Sequence, residues 1–210
     1  PVDSYPQSPL TTSMRSPEKL TYDHATVHAI LDEGYICHVA YVADGLPRVL
    51  PTAYGRIGHT IYIHGSTGSR AFLTGRDEGL DISLSVTLHD GVILSTSWFH
   101  HSANYRCVIA HGRARTVTEP DEKWAGLAAI VDALAPERSL QSREPTTKEL
   151  AQTAVLALDL ESVSVRSRSG GPNDDPDDIG SPYWAGEIPL RLVPGAPRPA
   201  PHAHGTPPTL

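Results

Sequence analysis

The chain has 210 residues, enough for one domain with a substantial core. A formal net charge of −7, with no clustered run of Lys and Arg, argues against nucleic acid or an anionic membrane surface as a partner. The sequence has no apolar run of the ~18 residues that mark a membrane helix and no signal-peptide core, so a soluble, reducing, cytoplasmic setting is expected.

Residues 1–20 are rich in Pro and Ser, lack a hydrophobic period, and read as a mobile or draped arm. From Thr21 the pattern turns helical: Asp23 can cap, Val27, Ile30 and Leu31 share a face, and Gly34 can end the helix. "YICHVAYV" alternates as a strand, and Asp44–Gly45 signals a hairpin. "PRVLPTAY" and "HTIYIHG" then predict a second and a third strand, joined across Gly55 to Gly58. A short helix, about Ser69 to Thr74, precedes the strands "DISLSVTL" and "GVILSTS", which Asp90–Gly91 would join by a turn. "NYRCVIAHGRARTV" is the next long strand.

"EKWAGLAAIVDALA" places Trp124, Leu127, Ile130, Val131 and Leu134 on one helical stripe, with Thr118 and Asp121 resembling a capping box and Pro120 in the first turn. "TTKELAQ" predicts another short helix and "AVLALDLESVSVRS" the last strand. About six or seven strands, few helices and mostly hairpin connections predict a mainly β fold, an antiparallel barrel with peripheral α-helices. After Arg168 the acidic "SGGPNDDPDDIGSP" reads as an exposed loop. "YWAGEIPLR" restores an alternating pattern at Trp184, Ile188 and Leu190, and a proline-rich tail follows. The expected division is an arm over 1–20, a domain over 21–193 and a tail over 194–210.

Cys37 and Cys107 fall in separate strands without a CxxC pair, which argues against a zinc ribbon or a disulfide framework. Cys107 reads as a small barrel residue. A metal site needs three or four converging ligands; HExxH is absent and HxH occurs only in the tail, at His202 and His204, so no metal is expected. His38 and His111 lie within strands, and His64 ends one. His100 and His101 sit at a connection, where they are candidates to line a substrate pocket.

The stretch "YIHGSTGSRAF" passes from strand to helix through a hydroxyl-rich, glycine-containing turn that ends on a cation. Ser66, Thr67 and Ser69 offer hydroxyls and Arg70 a planar fork, a set that suits a phosphate. The other reading of the same residues is a helix cap with a surface arginine.

Four segments, "RVLPT" (Arg48 to Thr52), "HGSTGSR" (His64 to Arg70), "NYRCVIAHGRA" (Asn104 to Ala114) and "YWAGEIPLR" (Tyr183 to Arg191), resemble in order and spacing the pyridoxamine 5′-phosphate oxidase-like FMN-binding split-barrel family. The resemblance covers residues 21 to 193. It is nearer to a branch with "FHHS.NYR" and "WAG..PLR", related to the nitroimidazole-resistance proteins, than to the oxidase itself. It implies a homodimer with FMN at the interface and flavin-dependent oxidoreductase activity on a small molecule. It also implies cofactor contacts from Arg48, Leu50, Thr52, His64, Ser66, Thr67, Ser69, Arg70, Arg106 and Trp184. Ala71 stands where the oxidase pattern has lysine, and the oxidase's C-terminal Arg–x–His is absent, so the oxidase's own substrate is not implied. Relatives of this barrel also bind haem, so a non-catalytic flavin or haem protein (a sensor, store or scavenger) or a haem enzyme is the alternative.

Overall fold

The computed structural model describes residues 3–13, 16–74 and 78–210. Four α-helices, α1 (His24–Glu33), α2 (Arg70–Thr74), α3 (Pro120–Leu134) and α4 (Thr147–Gln152), surround the strands. The strands are β1 (Leu20–Thr21), β2 (Ile36–Ala43), β3 (Leu46–Ile57), β4 (Thr60–Ser66), β5 (Leu80–Leu94), β6 (Ser102–Thr116), β7 (Thr153–Asp159), β8 (Ser162–Arg168) and β9 (Gly186–Pro189). Their order in one sheet is β1-β8-β6-β7-β4-β3-β2-β5-β9. An additional β5–β6 pairing joins the sheet to itself, so β6-β7-β4-β3-β2-β5 forms a closed antiparallel ring. The fold is mainly β, an antiparallel barrel with peripheral helices, as the hairpin pattern predicts and in the split-barrel form that the resemblance implies.

Alternation along the strands sets the core. Val39, Ile61, Ile63, Leu84, Val86, Val108, Leu156 and Leu158 from the ring, with Val163 and Val165 from β8, are buried in one cluster. Each such side chain contributes about 1.5–3 kcal/mol relative to exposure. Tyr62 lies between Ile61 and Ile63, on the opposite face of β4, and joins a second cluster with Val117, Ile130, Val155 and Ala157 beneath α3.

Several boundaries differ from the sequence reading. Among the described residues the strands number nine, because "AVLALDLESVSVRS" divides into β7 and β8 around Leu160–Glu161 and "GEIP" adds β9. "DISLSVTL" and "GVILSTS" form one strand: Asp90–Gly91 is an irregularity between His89 and Gly91 in the β5–β6 register, not a turn. Gly55 lies inside β3, and the turn to β4 falls at Gly58–His59. A Cβ at Gly55 would sit 2.4 Å from the Ala129 carbonyl carbon, so Gly55 lets α3 lie directly on the strand. The buried face of α3 is accordingly Gly126 and Ile130, while Trp124 and Leu134 are exposed. Glu119, not Thr118, is its N-cap and makes no side-chain cap bond; a capping box does form at α4, between Thr146 and Glu149.

Other local expectations match. Asp44 (φ 53°) and Gly45 (φ 72°) both take left-handed angles and turn β2 onto β3. Asp23 caps α1 by accepting from Thr26 N at 2.7 Å. The arm is draped: Tyr5 and Thr11 are buried, and Tyr5 N donates to Tyr22 O at 2.8 Å. Of the expected arm, residues 1–2 and 14–15 lie outside the described residues. Among those described, no helix is long and apolar enough to cross a membrane.

Candidate functional site

The strand-to-helix turn after β4 is held from within. Thr67 N donates to Gln152 O at 3.1 Å, Gly68 N to Ser66 Oγ at 3.2 Å and Ser69 N to Ser66 O at 2.9 Å. Those turn N–H groups are therefore engaged inside the protein. Ser69 Oγ is different: it is buried with no hydrogen-bond partner among the described residues. A buried hydroxyl without a partner costs roughly 1–3 kcal/mol, so this atom marks a position where an external acceptor would be stabilising. Gly65 is required here because a Cβ would meet the Phe72 ring at 2.4 Å; the ring tucks beneath the turn and seats α2.

Arg70 opens α2, and its Nη1 donates to Asp44 Oδ2 at the tip of the β2–β3 hairpin. Both side chains are largely exposed, so this is an ion pair that an incoming anion can displace. Arg48, opposite Tyr41 in the β2–β3 register, is exposed and makes no hydrogen bond or ion pair among the described residues. Leu50 pairs with Val39 and packs against the core; Thr52 pairs with Cys37, and its hydroxyl donates to Ala53 O at 3.2 Å.

Two grooves flank α2. One, of about 660 Å³, is lined by His64, Gly65, Ser66, Thr67, Gly68, Gln152 and Thr153. The other, of about 1020 Å³, includes Tyr41, Arg48, Leu73, Thr74, Ser83 and His111 in its wall. Ser83 Oγ lies 2.8 Å from His111 Nδ1 within that wall. His64 keeps an exposed side chain, yet desolvation by the strand wall moves its pKa below the usual histidine value.

The remaining expected residues lie elsewhere. Arg106 is engaged by two carboxylates: Asp90 from β5 and Glu33 from α1 each accept two hydrogen bonds from its guanidinium. These bonds hold Asp90 and Glu33 below the usual carboxylate range. His100 Nε2 lies 3.1 Å from Asp175 Oδ2, and His101 Nδ1 accepts from Ser95 N at 2.9 Å, so both rings brace the connection that carries them. Trp184 is exposed and lies against Gly186, where a Cβ would approach its ring at 2.8 Å. Cys107 is buried; burial pushes its thiol upward, partly offset by the Thr87 hydroxyl, which donates to Sγ at 3.2 Å. Burial pushes Cys37 to about 12. Neither thiol has the electropositive, open setting of a reactive cysteine. Among the described residues no cluster of His, Cys, Asp or Glu is placed to hold a metal ion.

The sequence reading missed Trp98 and Phe99, which project from the β5–β6 connection at 95% and 88% exposure. Asp174 of the acidic loop ties that connection down, accepting from Ser95 Oγ, from Thr96 N at 3.0 Å and from Thr96 Oγ1 at 2.8 Å. Asn104 fixes the same loop by donating to Gly170 O at 3.1 Å and Glu187 Oε1 at 2.7 Å. No local pattern marks these contacts, because they join residues far apart in the chain.

A family model described as pyridoxamine 5′-phosphate oxidase matches residues 23–167. Among solved structures, the flavocytochrome Anf3 from Azotobacter vinelandii is 35% identical, with a TM-score of 0.87 over 97% of this chain and 95% of that one. The FAD and haem binding protein from Mycobacterium smegmatis is 38% identical, with a TM-score of 0.82 over 90% of this chain and 93% of that one. A candidate 5-nitroimidazole antibiotic resistance protein from Bacteroides thetaiotaomicron shares the fold at 14% identity, with a TM-score of 0.59 over 70% of this chain and 84% of that one. No curated protein matches this chain.

Proposed function

The chain belongs to the pyridoxamine 5′-phosphate oxidase family, and from that premise we propose that it is a flavin-dependent oxidoreductase that works as a homodimer on a small molecule. The observation that carries the reading is the partnerless buried Ser69 Oγ next to Arg70, whose exposed ion pair an anion can displace, with Arg48 exposed on β3 and unpaired among the described residues. A phosphate fits this set. Ser69 Oγ would donate to the anion, and the Arg70 fork would exchange Asp44 for it. Arg48 adds charge from the neighbouring strand. His64 borders the same turn, where desolvation lowers its pKa and so disfavours its charged form.

When bound, the flavin supplies the hydride chemistry. The protein's part is to anchor its phosphate, orient its ring and limit water at the site. Leu50 and Thr52 of β3 would be among the residues that hold the flavin in this reading. Trp184 and the Trp98–Phe99 pair are exposed flat surfaces suited to covering a site formed between two subunits. Exposed Val42, Leu46 and Val49 on β2 and β3 support a covered, dimeric face.

The resemblance implies FMN, whereas the 38% identical relative is described as binding FAD and haem. The groove of about 1020 Å³ beyond α2 offers room for a second nucleotide half, which favours FAD. Haem is the second reading, supported by the descriptions of two relatives above 30% identity. The exposed rings of His38, His64 and His89 make no side-chain hydrogen bond among the described residues and are among the ring nitrogens open to iron.

The test is to purify the protein, release its cofactor by denaturation and separate it chromatographically. FAD or FMN supports the reading, and a Soret band reports haem. A protein that neither retains nor rebinds a flavin overturns it. Light scattering at micromolar concentration checks the dimer, and turnover with NADPH and a quinone or nitroaromatic acceptor separates enzyme from store.

A further inference from the structure

The buried Tyr5 is where the N-terminal arm meets a cluster of histidines. Its hydroxyl lies 3.0 Å from His28 Nε2 and 2.8 Å from His59 Nδ1. The His24 ring centroid is 4.2 Å from that of Tyr5 and 4.8 Å from that of His59, and the His28 and His59 centroids are 4.9 Å apart. α1 contributes His24 and His28, one turn apart, and the β3–β4 turn contributes His59. The arm backbone is fixed around the same point, with His24 N donating to Asp3 O at 2.8 Å.

A tyrosine hydroxyl has one proton to donate. Only one of the two ring nitrogens can accept it; the other must donate its own N–H to the phenolic oxygen. One imidazolium leaves that pattern intact. Two imidazolium rings leave the phenolic proton with no acceptor and set two like charges against each other. The other charged groups facing the cluster do not relieve this. Arg56 of β3 adds positive charge, and Asp32 of α1 is already paired with it. Asp23 at the head of α1 is occupied by Thr26 N and Oγ1.

The arm continues from Tyr5 across the barrel. Ser8 Oγ lies 2.9 Å from Ser162 Oγ, Thr11 O accepts from the Tyr22 hydroxyl at 2.9 Å, and Leu10 stands in the wall of the groove of about 1020 Å³. We propose that residues 3–13 are a proton-released strap: protonation of both His28 and His59 ejects Tyr5, frees the arm and opens the Leu10 side of that groove. The strap stands on the Tyr5 geometry alone; its effect on a bound cofactor rests on the flavin reading above.

The sign follows from the ring environments. Burial, then Arg56 and His59, hold His28 below the ordinary histidine value of 6.5, so its proton binds more readily once the arm has left. Docking is therefore complete above about pH 6.5 and is lost as the pH falls below it. The docked pattern already accommodates one imidazolium, so release takes up one further proton and changes the docked ratio by up to about tenfold per pH unit.

Amide exchange of the full chain, corrected for intrinsic rates, tests this at pH 7.5, 6.5 and 5.5. Protection of residues 3–13 should fall about tenfold between the extremes, while β5 and β6 stay protected. His28→Gln with His59→Gln keeps hydrogen-bonding amides but cannot charge, so its arm should lose the pH response whether or not it docks. If that variant does not fold, Tyr5→Phe serves: its arm should already be weakly protected at pH 7.5 and respond less to acid. A wild-type arm equally protected at all three values overturns the strap, as does the full response persisting in the variants. The FAD dissociation rate, followed by fluorescence, should rise over the same window. Arm release with an unchanged FAD rate overturns the gate while leaving the strap; failure to bind FAD at all counts against the flavin reading instead.

Discussion

Arg106 grips Asp90 with two parallel hydrogen bonds, Nε to Oδ2 at 2.9 Å and Nη2 to Oδ1 at 2.8 Å, and the rest of the same guanidinium binds Glu33. This one side chain joins β6 to the irregular point of β5 and to the end of α1. Both carboxylates engage its guanidinium, which thereby braces the barrel. Asp90 and Glu33 are partly solvated, and salt screening limits what the network contributes. Arg106→Ala should cost about 1–2 kcal/mol at neutral pH, lowering Tm by about 2–8 °C. Both carboxylates are held below their ordinary values of 4.5 and 3.8, so their contribution is present above those values and is lost as the pH falls through the lower folded ones. The Tm deficit of the variant should therefore shrink below about pH 4, which melts at pH 7 and pH 3.5 will check.

Arg70 and Asp44 make opposite predictions. Arg70→Ala removes the fork and should weaken flavin by about 2 kcal/mol, some thirtyfold. Asp44→Asn removes the carboxylate that competes with the phosphate, and asparagine tolerates the left-handed angle at this position. Flavin affinity should rise about two- to fivefold at low salt, the equivalent of an exposed ion pair. Fluorescence titration of both variants decides it; no change in either places the phosphate elsewhere.

Gly55→Ala should be among the most damaging small substitutions in the chain. Its Cβ would lie 2.4 Å from Ala129 C and 2.5 Å from Ile130 N, both backbone atoms of α3 that no rotamer change can move aside. Lifting α3 off β3 would open the cluster around Tyr62 and Ile130, at a cost of about 3 kcal/mol. A urea midpoint equal to that of the unsubstituted protein would show that the helix shifts without penalty.

Gly55 also shows why some of the fold was legible in the sequence and some was not. Periodicity reports which residues face a core, so Val27, Ile30 and Leu31 and the paired strands could be read directly. It cannot report that a glycine inside a strand is a seat for a helix distant in sequence, and so Gly55 read as part of a turn. The stripe on α3 failed for the same reason: the helix meets β3 through its smallest residue, and Trp124 stays outside. Asp90–Gly91 carries turn chemistry, but pairing with β6 on one side and β9 on the other keeps the strand continuous. At the candidate site, the composition of "GSTGSR" was visible, whereas the internal use of its N–H groups and the partnerless Ser69 Oγ exist only in three dimensions.

Asp174 provides the last prediction. Its carboxylate accepts from Ser95 and Thr96 and so fixes the connection on which Trp98 and Phe99 stand exposed. Two large aromatic side chains held outward on an already ordered loop lose less entropy on contact than the same residues on a mobile one. Asp174→Ala should leave the barrel intact but raise amide exchange across residues 95–101 about tenfold at pH 7, because the opening is local. The Ser95 and Thr96 bonds lower the Asp174 pKa, so the tie is present above the ordinary value of 3.8 and disappears as the pH falls through the lower folded value. The wild type should therefore approach the variant's exchange pattern only in strong acid. If residues 95–101 exchange at the same corrected rate in both proteins at pH 7, Asp174 does not hold the loop, and the outward placement of Trp98 and Phe99 must come from the His100 and His101 contacts.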